Sequence, residues 1–317
     1  MITILITGGG GAGSEALWRL LENRYTLHFC DADPFAIDPA IPEDRRHRLP
    51  MASDPDFLDQ TLALCRRLAI DLLIPGVDEE LLILAQNRGA FGPTRVLVPD
   101  ADYVRAMTDK LSMVRTLSAR HIRVPLTRTL ADVLNDVVFP CIAKPRTGRG
   151  SRDVRVVRSR AEAAALRIAA GAAAADTLLQ EKIEGIEYTV QMVADANRRL
   201  CAVVPVRIGV KRGITLRGTT EAEPRVADLC RRIHDAVPAA GCYNVQLILT
   251  ADGSAVPFEI NPRISTTVCL TVAAGIDPIA VFLGQVRSHD LLPFTAGVEL
   301  RRHWMNHVSG QVFTRAR

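Results

Sequence analysis

The stretch 242–263 reads CYNVQLILTADGSAVPFEINPR. Two segments rich in β-forming residues flank Asp252-Gly253, a dipeptide that favours a two-residue hairpin turn. Counting outward from this turn places Gln246 opposite Glu259, and Asn244 opposite Asn261, all on one face of the hairpin. The alternate positions form an unbroken apolar face, made of Val245, Leu247, Leu249, Val256, Phe258 and Ile260.

The polar face of this predicted hairpin carries three amides and one carboxylate. Carboxylate and amide oxygens are the ligands that a hard cation such as Mg²⁺ takes, together with phosphate and water. Arg263 follows Asn261 beyond Pro262 and adds a positive fork on the same side. The hairpin therefore predicts either a metal–phosphate site or a polar face that only meets water.

The whole chain has an ordinary globular composition. It has 317 residues, 48% hydrophobic and 23% charged, and a net charge of +4, so the length predicts two or three subdomains. Seven scattered cysteines without a C-x-x-C pair indicate reduced, mostly buried thiols. The first residues read as a strand rather than a signal peptide, and no apolar run is long enough to span a membrane. We therefore expect a cytoplasmic protein with no membrane partner.

The positive charge is unevenly distributed. Six arginines crowd into residues 146–160, namely Arg146, Arg149, Arg152, Arg155, Arg158 and Arg160. Such a cluster can bind nucleic acid or another anion. The absence of interleaved aromatic residues favours an anion-binding flap, so no nucleic-acid partner is expected.

The N-terminal hundred residues alternate strands with helices. Residues 2–7 read as a buried strand, followed by Gly8-Gly9-Gly10-Gly11-Ala12-Gly13 and a helix over 14–23. Further strands are predicted at 26–30, 71–75 and 95–98, which indicates a small parallel sheet. The glycines match the dinucleotide fingerprint, and Asp31 and Asp33 stand at the spacing of a ribose-binding acid. The alternative is that the glycines only allow tight helix-to-strand packing.

The middle of the chain contains a phosphate-binding pattern. A linker is predicted at 99–102, then a helix over 108–119 with Lys110 in its first turn. Residues 137–145 read as a strand that ends on Lys144, and a glycine-rich turn at 147–152 leads into a β-like run at 154–157. A lysine at a strand end beside backbone N–H groups of glycines suits phosphate. Because the turn joins two strands, we interpret it as a mobile flap.

The C-terminal half continues with β-rich segments. A helix is predicted over 160–175, strands at 177–183, 188–194 and 200–206, and a helix over 226–236 before the hairpin. Residues 207–220 are interpreted as a basic, glycine-punctuated loop that meets an anion. Helices over 265–274 and 278–283 follow, and residues 298–304 are predicted to form a closing strand.

Taken in order, these residues resemble the ATP-grasp superfamily. The resemblance rests on Lys110, on Lys144 with its flap, on 180–187 (QEKIEGIE), on Gln246 and on 258–263 (FEINPR). It covers about residues 108–285 and is strongest to the branch of the carbamoyl-phosphate synthase large subunit. It implies an α/β fold (the α+β ATP-grasp class), with an N-terminal Rossmann-like parallel sheet followed by a two-subdomain ATP-grasp unit with antiparallel sheets. The implied domains are 1–100, 101–180 and 181–317, and the glycine turn of the first does not bind a dinucleotide.

The resemblance also implies roles for individual residues. Lys110 and Lys144 would contact ATP phosphates, and the flap residues Gly148, Gly150 and Ser151 would close over them. The strand end Glu181-Lys182-Ile183 would hold adenine and Glu187 the ribose. Mg²⁺, with Mn²⁺ as an alternative, would be bound by Gln246, Glu259 and Asn261. Arg263 and Lys144 would be catalytic, with Arg263 beside the transferred phosphoryl group, so that an acyl phosphate forms and an amine attacks it.

The departures from this branch shape the functional hypothesis. The chain is about one ATP-grasp unit long, so we do not expect a complete carbamoyl-phosphate synthase. The segment 207–220 carries more positive charge than the binding of an anion as small as bicarbonate requires. We therefore predict an ATP-dependent carboxylate–amine ligase whose acid is docked by Arg207, Lys211 and Arg217, with Arg263. Three alternatives stay open: a bicarbonate-activating ATP-grasp enzyme, a nicotinamide oxidoreductase using Gly8–Gly13, and a non-catalytic nucleotide-binding module. The expected partners are a small carboxylate and an amine, and a homodimer is a family-level expectation.

Overall fold

The structure is a computed structural model that describes residues 1–132, 135–286 and 288–303. The strands of these residues form three sheets, of five, four and six strands. Among the described residues, no helix is both long and apolar enough to cross a membrane.

The first sheet is parallel, as predicted from the alternation of strands and helices. Its strands are β1 (Thr3–Thr7), β2 (Thr26–Asp31), β3 (Arg46–Arg48), β4 (Leu72–Ile74) and β5 (Arg95–Val96), in the order β3-β2-β1-β4-β5. Three helices follow strands of this sheet: α1 (Ser14–Leu21), α2 (Phe57–Arg67) and α3 (Asp78–Gln86). Strand β3 was not predicted, because a three-residue strand that reads Arg-His-Arg carries no apolar pattern.

Two helices connect the first sheet to the second. They are α4 (Ala101–Thr108) and α5 (Lys110–Ser118), so the predicted linker at 99–102 is wrong and the predicted helix over 108–119 is the second of a pair. The break lies at Asp109, whose backbone is extended and whose carboxylate accepts from the N–H groups of Leu111 (3.0 Å) and Ser112 (3.2 Å). An aspartate in this role caps a new helix, which explains why one apolar pattern contains two helices.

The second sheet is antiparallel and carries the flap. Its strands are β6 (Thr127–Thr129), β7 (Cys141–Pro145), β8 (Arg155–Val157) and β9 (Thr177–Glu181), in the order β6-β9-β7-β8. Helix α6 (Arg160–Ala170) packs on it through the small apolar core around Leu130, Cys141 and Ala163. The predicted strand at 137–145 begins only at Cys141.

The third sheet is antiparallel and contains the hairpin predicted within residues 242–263. Its strands are β10 (Ile186–Ala194), β11 (Leu200–Arg212), β12 (Ile214–Thr220), β13 (Gly241–Leu249), β14 (Ala255–Asn261) and β15 (Glu299–Arg301), in the order β14-β13-β10-β11-β12-β15. Helices α7 (Pro224–Ala236), α8 (Val268–Ala273) and α9 (Pro278–Phe282) complete the described part. The predicted closing strand at 298–304 corresponds to β15; Trp304 lies outside the described residues.

The basic segment 207–220 was predicted to be a loop, but the structure shows two paired strands. It forms the ends of β11 and β12, which turn at Gly213 with a φ of +71°. Glycine adopts this left-handed conformation without strain, so one glycine is enough to make a tight hairpin. The several glycines and cations of the segment gave it a composition that is typical of loops.

The two faces of the third sheet have different neighbours. One face packs on α4, α5 and α7 through a core that includes Tyr188, Val190 and Val245. On the other face, Val204 and Cys242 pack in one core with the N-terminal sheet and α9. The part of that face not covered in this way carries polar side chains, and these line the site described next.

Candidate active site

The predicted register of the β13–β14 hairpin is confirmed where it carries the polar face. Gln246 pairs with Glu259 and Asn244 with Asn261. Closer to the turn the register shifts, so that Leu247 pairs with Pro257. The turn is also longer than two residues, because the N–H of Thr250 donates to the carbonyl of Ser254 (2.9 Å).

The register shift moves Phe258 away from its predicted place on the apolar face. Phe258 has no cross-strand partner and forms a β-bulge, which re-aims its side chain. The ammonium groups of Lys144 and Lys211 lie 5.4 Å and 5.9 Å from the centre of its ring. The ring therefore lies among the cations of the site and contributes cation–π attraction there.

The polar face borders a cavity of about 600 Å³ between the three sheets. Its lining comes from several parts of the chain: the glycine loop after β1, residues 30–32 at the end of β2, residues 49–53 after β3, residues within 76–80 at the start of α3, the flap around Gly150, the polar residues of the third sheet, and residues within 263–267 after β14. From the third sheet the cavity receives Lys211, Asn244, Gln246, Glu259, Asn261 and Arg263. A mixed charged and apolar cavity of this size fits a small-molecule substrate.

The predicted metal ligands lie together at this cavity. Asn261 donates its amide N–H to Asn244 Oδ1 (3.2 Å), which leaves the Asn261 oxygen available to a ligand. Gln246 Oε1 accepts from Lys211 Nζ (2.9 Å), so a cation that used this oxygen would displace the lysine. Among the described residues, no group of three His, Cys, Asp or Glu side chains could hold a metal, so a site here must combine Glu259 with amide oxygens. That oxygen set fits Mg²⁺.

Three lysines converge beside these oxygens. Lys144 is only 5% exposed and donates to the carbonyl of Phe258 (3.3 Å). Burial lowers the pKa of Lys144 to about 8; the nearby Glu259 opposes this shift, and Lys110 and Lys211 add to it. A buried ammonium with two cationic neighbours is costly unless an anion joins them, and a nucleotide phosphate is such an anion.

The flap lines the cavity and contacts helices α5 and α3. Gly148, Gly150 and Ser151 have φ angles of +106°, +72° and +55°, so the tight turn depends on its glycines. Lys110 Nζ donates to the carbonyl of Gly148 (2.8 Å). Arg149 reaches the N-terminal domain, where its Nε donates to Glu79 Oε2 (3.1 Å). These contacts hold the flap down on the site.

The predicted nucleotide residues lie outside the lining of the 600 Å³ cavity, except for Gly150. The N–H of Glu181 donates to the carbonyl of Leu126 (2.8 Å), so this N–H is not free for a base. Lys182 forms an ion pair with Glu184. Glu187 accepts from Lys211 Nζ (2.5 Å), which connects the predicted ribose position with Gln246 in the cavity.

Arg207 and Arg217, predicted to dock a substrate, do not lie at this cavity. Both side chains are exposed and absent from the cavity lining, whereas Lys211 lines it. The pairing of β11 with β12 skips Gly209 on one strand and Leu216 on the other. Because each such bulge reverses the alternation of faces, the two arginines fall on the face opposite Lys211. Lys211 itself lies between Glu187 and Gln246 rather than apart from the nucleotide and metal residues.

Arg263 lines the cavity and has a partner that the sequence analysis did not identify. Its Nε donates to Asp78, at the start of α3, and its Nη1 donates to the carbonyl of Ile264 (2.9 Å). Both side chains of the ion pair are mostly buried. The pair joins the N-terminal domain to the end of the polar hairpin and fixes the guanidinium at the cavity.

The glycine loop also borders the cavity, but its geometry disfavours a dinucleotide. Asp31 Oδ2 accepts from the N–H of Gly10 (2.9 Å), and Asp31 Oδ1 accepts from the N–H of Asp33 (3.2 Å). A ribose-binding acid needs free oxygens for the hydroxyls. Both oxygens of Asp31 already accept from backbone N–H groups of the loops, so only part of their acceptor capacity remains for hydroxyls.

Comparisons with known proteins identify the family and the fold. A family model described as an ATP-grasp domain matches residues 107–267. The formate-dependent phosphoribosylglycinamide formyltransferase of Ignicoccus hospitalis is 23% identical over 297 residues, which cover 85% of this chain and 71% of that protein.

Solved structures with 15% and 16% identity show the same fold. One is the biotin carboxylase domain of the Hydrogenobacter thermophilus 2-oxoglutarate carboxylase with MgADP, ADP and bicarbonate (TM-score 0.65, 92% of this chain and 71% of that one). Another is the L-amino acid ligase of Bacillus licheniformis (TM-score 0.68, 89% and 73%). The chain spans only 28% of the length of Rhizobium etli pyruvate carboxylase (TM-score 0.65, 19% identity, 88% of this chain).

The family model covers the flap, the three lysines and the polar hairpin in one continuous match. This confirms the predicted superfamily and fold class, whereas the assignment to the carbamoyl-phosphate synthase branch stays a prediction. The chain belongs to the ATP-grasp family.

Proposed function

We propose that this chain carries out the ATP-dependent carboxylate–amine ligation of its family in the cavity between its three sheets. In this reaction an acid is converted to an acyl phosphate, an amine displaces the phosphate, and ADP is released. The observation that supports this location is the row of Gln246, Glu259 and Asn261 beside Lys211 and Arg263 at one cavity wall. Oxygen ligands and fixed cations in one place suit the transfer of a phosphoryl group between two anions.

ATP phosphates would bind at the three lysines. Lys144 and Lys110 are buried cations that an anion would stabilise. Lys110 also donates to the carbonyl of Gly148, so its position is coupled to that of the flap. Mg²⁺ would be held by Glu259 and Asn261, with Gln246 joining once Lys211 moves to a phosphate. The metal would supply a Lewis acid that neutralises charge on the phosphates. Mn²⁺ as an alternative metal remains a proposal.

The acid would bind beside Arg263, whose guanidinium Asp78 holds in place. A fixed cation stabilises the charge that develops when a carboxylate approaches a phosphate. Since Arg207 and Arg217 lie on the other face of the sheet, the acid is proposed to be small enough to be held by Arg263 and Lys211 alone. Formate, bicarbonate and amino acids are the acids that the relatives' names suggest.

Three coarser expectations accompany this proposal. The division into domains 1–100, 101–180 and 181–317 is supported by the three sheets, whose strands lie within 3–96, 127–181 and 186–301. A cytoplasmic location is supported by the seven cysteines, all of them free and buried. Homodimerisation is proposed only from the family.

The test is acid-dependent turnover without knowledge of the natural amine. Hydroxylamine traps acyl phosphates as hydroxamates, so wild-type protein would be supplied with Mg²⁺-ATP, hydroxylamine and one acid at a time: formate, bicarbonate or each of the twenty L-amino acids. We expect matching ADP and hydroxamate with a small organic acid. ADP release with bicarbonate alone would favour the bicarbonate-activating alternative, for which the bicarbonate-bound neighbour is the supporting observation.

The matched variants are Glu259→Gln in the polar hairpin and Glu299→Gln on β15, where the carboxylate pairs with Arg301 at the surface. Loss of a preorganised charge should lower the kcat of Glu259→Gln by about 10²–10³-fold. Glu299→Gln should match wild type. Equal activity of Glu259→Gln and wild type would contradict the proposed location of the reaction.

A further inference from the structure

A second carboxyl group lies at the cavity, on the side of the N-terminal sheet. Glu80, in the first turn of α3, is only 6% exposed and lines the cavity. The Thr7 hydroxyl donates to its Oε2, and Thr7 Oγ1 accepts from the N–H of Gly76 (2.9 Å). When Glu80 is ionised, Oε2 accepts the Thr7 hydroxyl proton, and Oε1 is left for other partners.

The other oxygen of Glu80 is directed at the cavity. Within the described residues, Oε1 has no hydrogen-bond partner. Oε1 is also not one of the fully buried polar atoms that lack a partner in that part of the chain, so it is accessible. It therefore contacts the cavity space. Since Oε2 is engaged by Thr7, Oε1 is the oxygen that is open to a ligand in the cavity, as an acceptor when Glu80 is ionised.

The charges around Glu80 keep it neutral when the cavity is empty. Burial raises the pKa of Glu80 to about 8 against the hydrogen bond from Thr7, and the neighbouring carboxylates of Glu79 and Asp31 add to the rise. Arg149 acts in the opposite direction, but its guanidinium is paired with Glu79. The thiol of Cys30, on the adjacent strand β2, also faces this carboxyl group and is itself neutral because burial raises its pKa.

The cavity carries charges of both signs, and Arg149 and Arg152 of the flap and the carboxylate of Glu259 also line it. Lys211, Arg263 and the oxygen ligands for a metal come from the third sheet, on one side. Asp31 and Glu80 come from the N-terminal domain, and neither has a cationic side-chain partner among the described residues. An acyl phosphate suits the first side, and an ammonium ion suits the second.

We propose that Glu80 is the binding group and general base for the amine substrate, a primary amine that arrives as its ammonium ion; this rests on the proposed ligase function. The ionised Oε1 accepts one proton from R–NH₃⁺, which leaves R–NH₂ and a neutral Glu80. The nitrogen lone pair then forms the C–N bond to the acyl carbon, and the C–O bond to phosphate breaks with its electron pair on the phosphate. The second nitrogen proton goes to the departing phosphate, which gives the amide and hydrogen phosphate.

A purely structural role explains the geometry less well. An anchor between β1 and α3 requires only an acceptor for the Thr7 hydroxyl, and Gln would supply it without an ionisable group. A carboxyl group that is buried, held on one oxygen and open to a substrate cavity on the other matches a proton acceptor whose ionisation depends on a cationic ligand.

The first test does not depend on turnover. The chain would be labelled with ¹³C at the glutamate carboxyl carbons, and the signal absent from Glu80→Gln would be followed from pH 5 to pH 10 by NMR. With methylammonium chloride as the probe, the midpoint of Glu80 should fall by about 1–3 pH units, as a carboxylate does beside a cation. Sodium chloride of equal ionic strength should leave it unchanged. An unchanged midpoint with methylammonium would overturn the proposal, whatever the catalytic assays show.

The second test measures a product ratio. Methylamine must lose a proton before it attacks, whereas hydroxylamine is already neutral at pH 7. With both nucleophiles and an acid that gives hydroxamate, Glu80→Gln should lower the ratio of methylamide to hydroxamate by about 10²-fold or more, the usual contribution of a general base. An unchanged ratio would refute the assignment. If no acid gives hydroxamate, the ligase proposal fails and the NMR titration alone decides whether Glu80 binds an ammonium ion.

Discussion

Replacing Glu80 with Gln should make the free protein more stable, by an amount that grows with pH. The carboxyl group is buried with a pKa raised from 4.5 to about 8, so the folded protein keeps a proton that the unfolded chain releases. A raised folded-state pKa means that stability is greatest below about pH 4.5 and declines as the pH rises toward 8. Gln cannot ionise, so the variant escapes this decline.

The size of the effect follows from the shift. One pKa unit is worth about 1.36 kcal/mol, so 2.5 units between the ordinary value and pH 7 correspond to about 3 kcal/mol. The Gln side chain of the variant has nearly the same shape as Glu and can still accept from the Thr7 hydroxyl, so little of this gain is lost again. For a chain of this length, about 3 kcal/mol raises the melting temperature by about 6 °C.

The assay is thermal unfolding of wild type and Glu80→Gln at pH 5, 6, 7 and 8. The difference in Tm should be small at pH 5 and should increase steadily to pH 8. Glu22→Gln is the matched control, because Glu22 is an exposed carboxylate of the same domain, and its difference from wild type should not vary over this range. A Tm difference for Glu80→Gln that is as large at pH 5 as at pH 8 would refute the idea that Glu80 is protonated in the folded protein.

Three further predictions concern other parts of the site. Gly76→Ala should destabilise the fold by about 1–3 kcal/mol in chemical denaturation, because its Cβ would lie 2.4 Å from the carbonyl oxygen of Thr7, whereas Gly89→Ala, with open space around the Cβ, should not. ATP affinity measured by calorimetry should fall as the pH rises above about 8, where free Lys144 loses its charge, and this dependence should be absent from Lys144→Met. Arg263→Lys should lower the kcat for ADP release by about 10²-fold, because a single ammonium replaces a fork held by Asp78; a change in KM alone would assign Arg263 to binding.

Local patterns predicted the central hairpin well. The alternation of polar and apolar residues on both sides of the turn is enough to place Gln246 opposite Glu259 and Asn244 opposite Asn261. The error at Phe258 has a local cause that composition does not reveal. Side-chain and backbone bonds of Thr250 to Asp252 and Ser254 make a longer turn, and one residue is then left without a partner.

The composition of the basic segment predicts that cations are present, but not which face of the sheet each cation occupies. The cations predicted an anion site nearby, and of the three predicted docking residues in this segment Lys211 lines the cavity. Which cations reach the site depends on the skipped residues Gly209 and Leu216, because each bulge reverses the face of everything beyond it. A count of alternate positions cannot locate a bulge in a segment whose side chains lack a clear apolar stripe, so Arg207 and Arg217 were misplaced.

The acidic side of the cavity could not be predicted from sequence for a different reason. Asp78 and Glu80 belong to a short run, Asp-Glu-Glu, that is typical of a helix N-terminus, where acidic residues interact favourably with the helix dipole. Their distinct roles come from partners far along the chain: Arg263 for Asp78, and Thr7 on the adjacent strand for Glu80. Only the folded structure shows that Asp78 pairs with Arg263, that Glu79 pairs with Arg149 of the flap, and that Glu80 is buried without a cationic partner among the described residues.

The loss of folding stability caused by Glu80 is the strongest reason to regard this residue as functional. A substitution as small as Gln would keep the hydrogen bond to Thr7 and remove about 3 kcal/mol of destabilisation at pH 7, so stability alone does not favour a carboxyl group here. The property that Gln lacks is the ability to ionise when a cation enters the cavity. Amide formation needs such a group, because an ammonium ion has no lone pair, and the cations that stabilise the acyl phosphate would repel it. Because Lys211 and Arg263 come from the antiparallel-sheet side and Glu80 from helix α3 of the N-terminal domain, the fold can hold both reactants in one cavity.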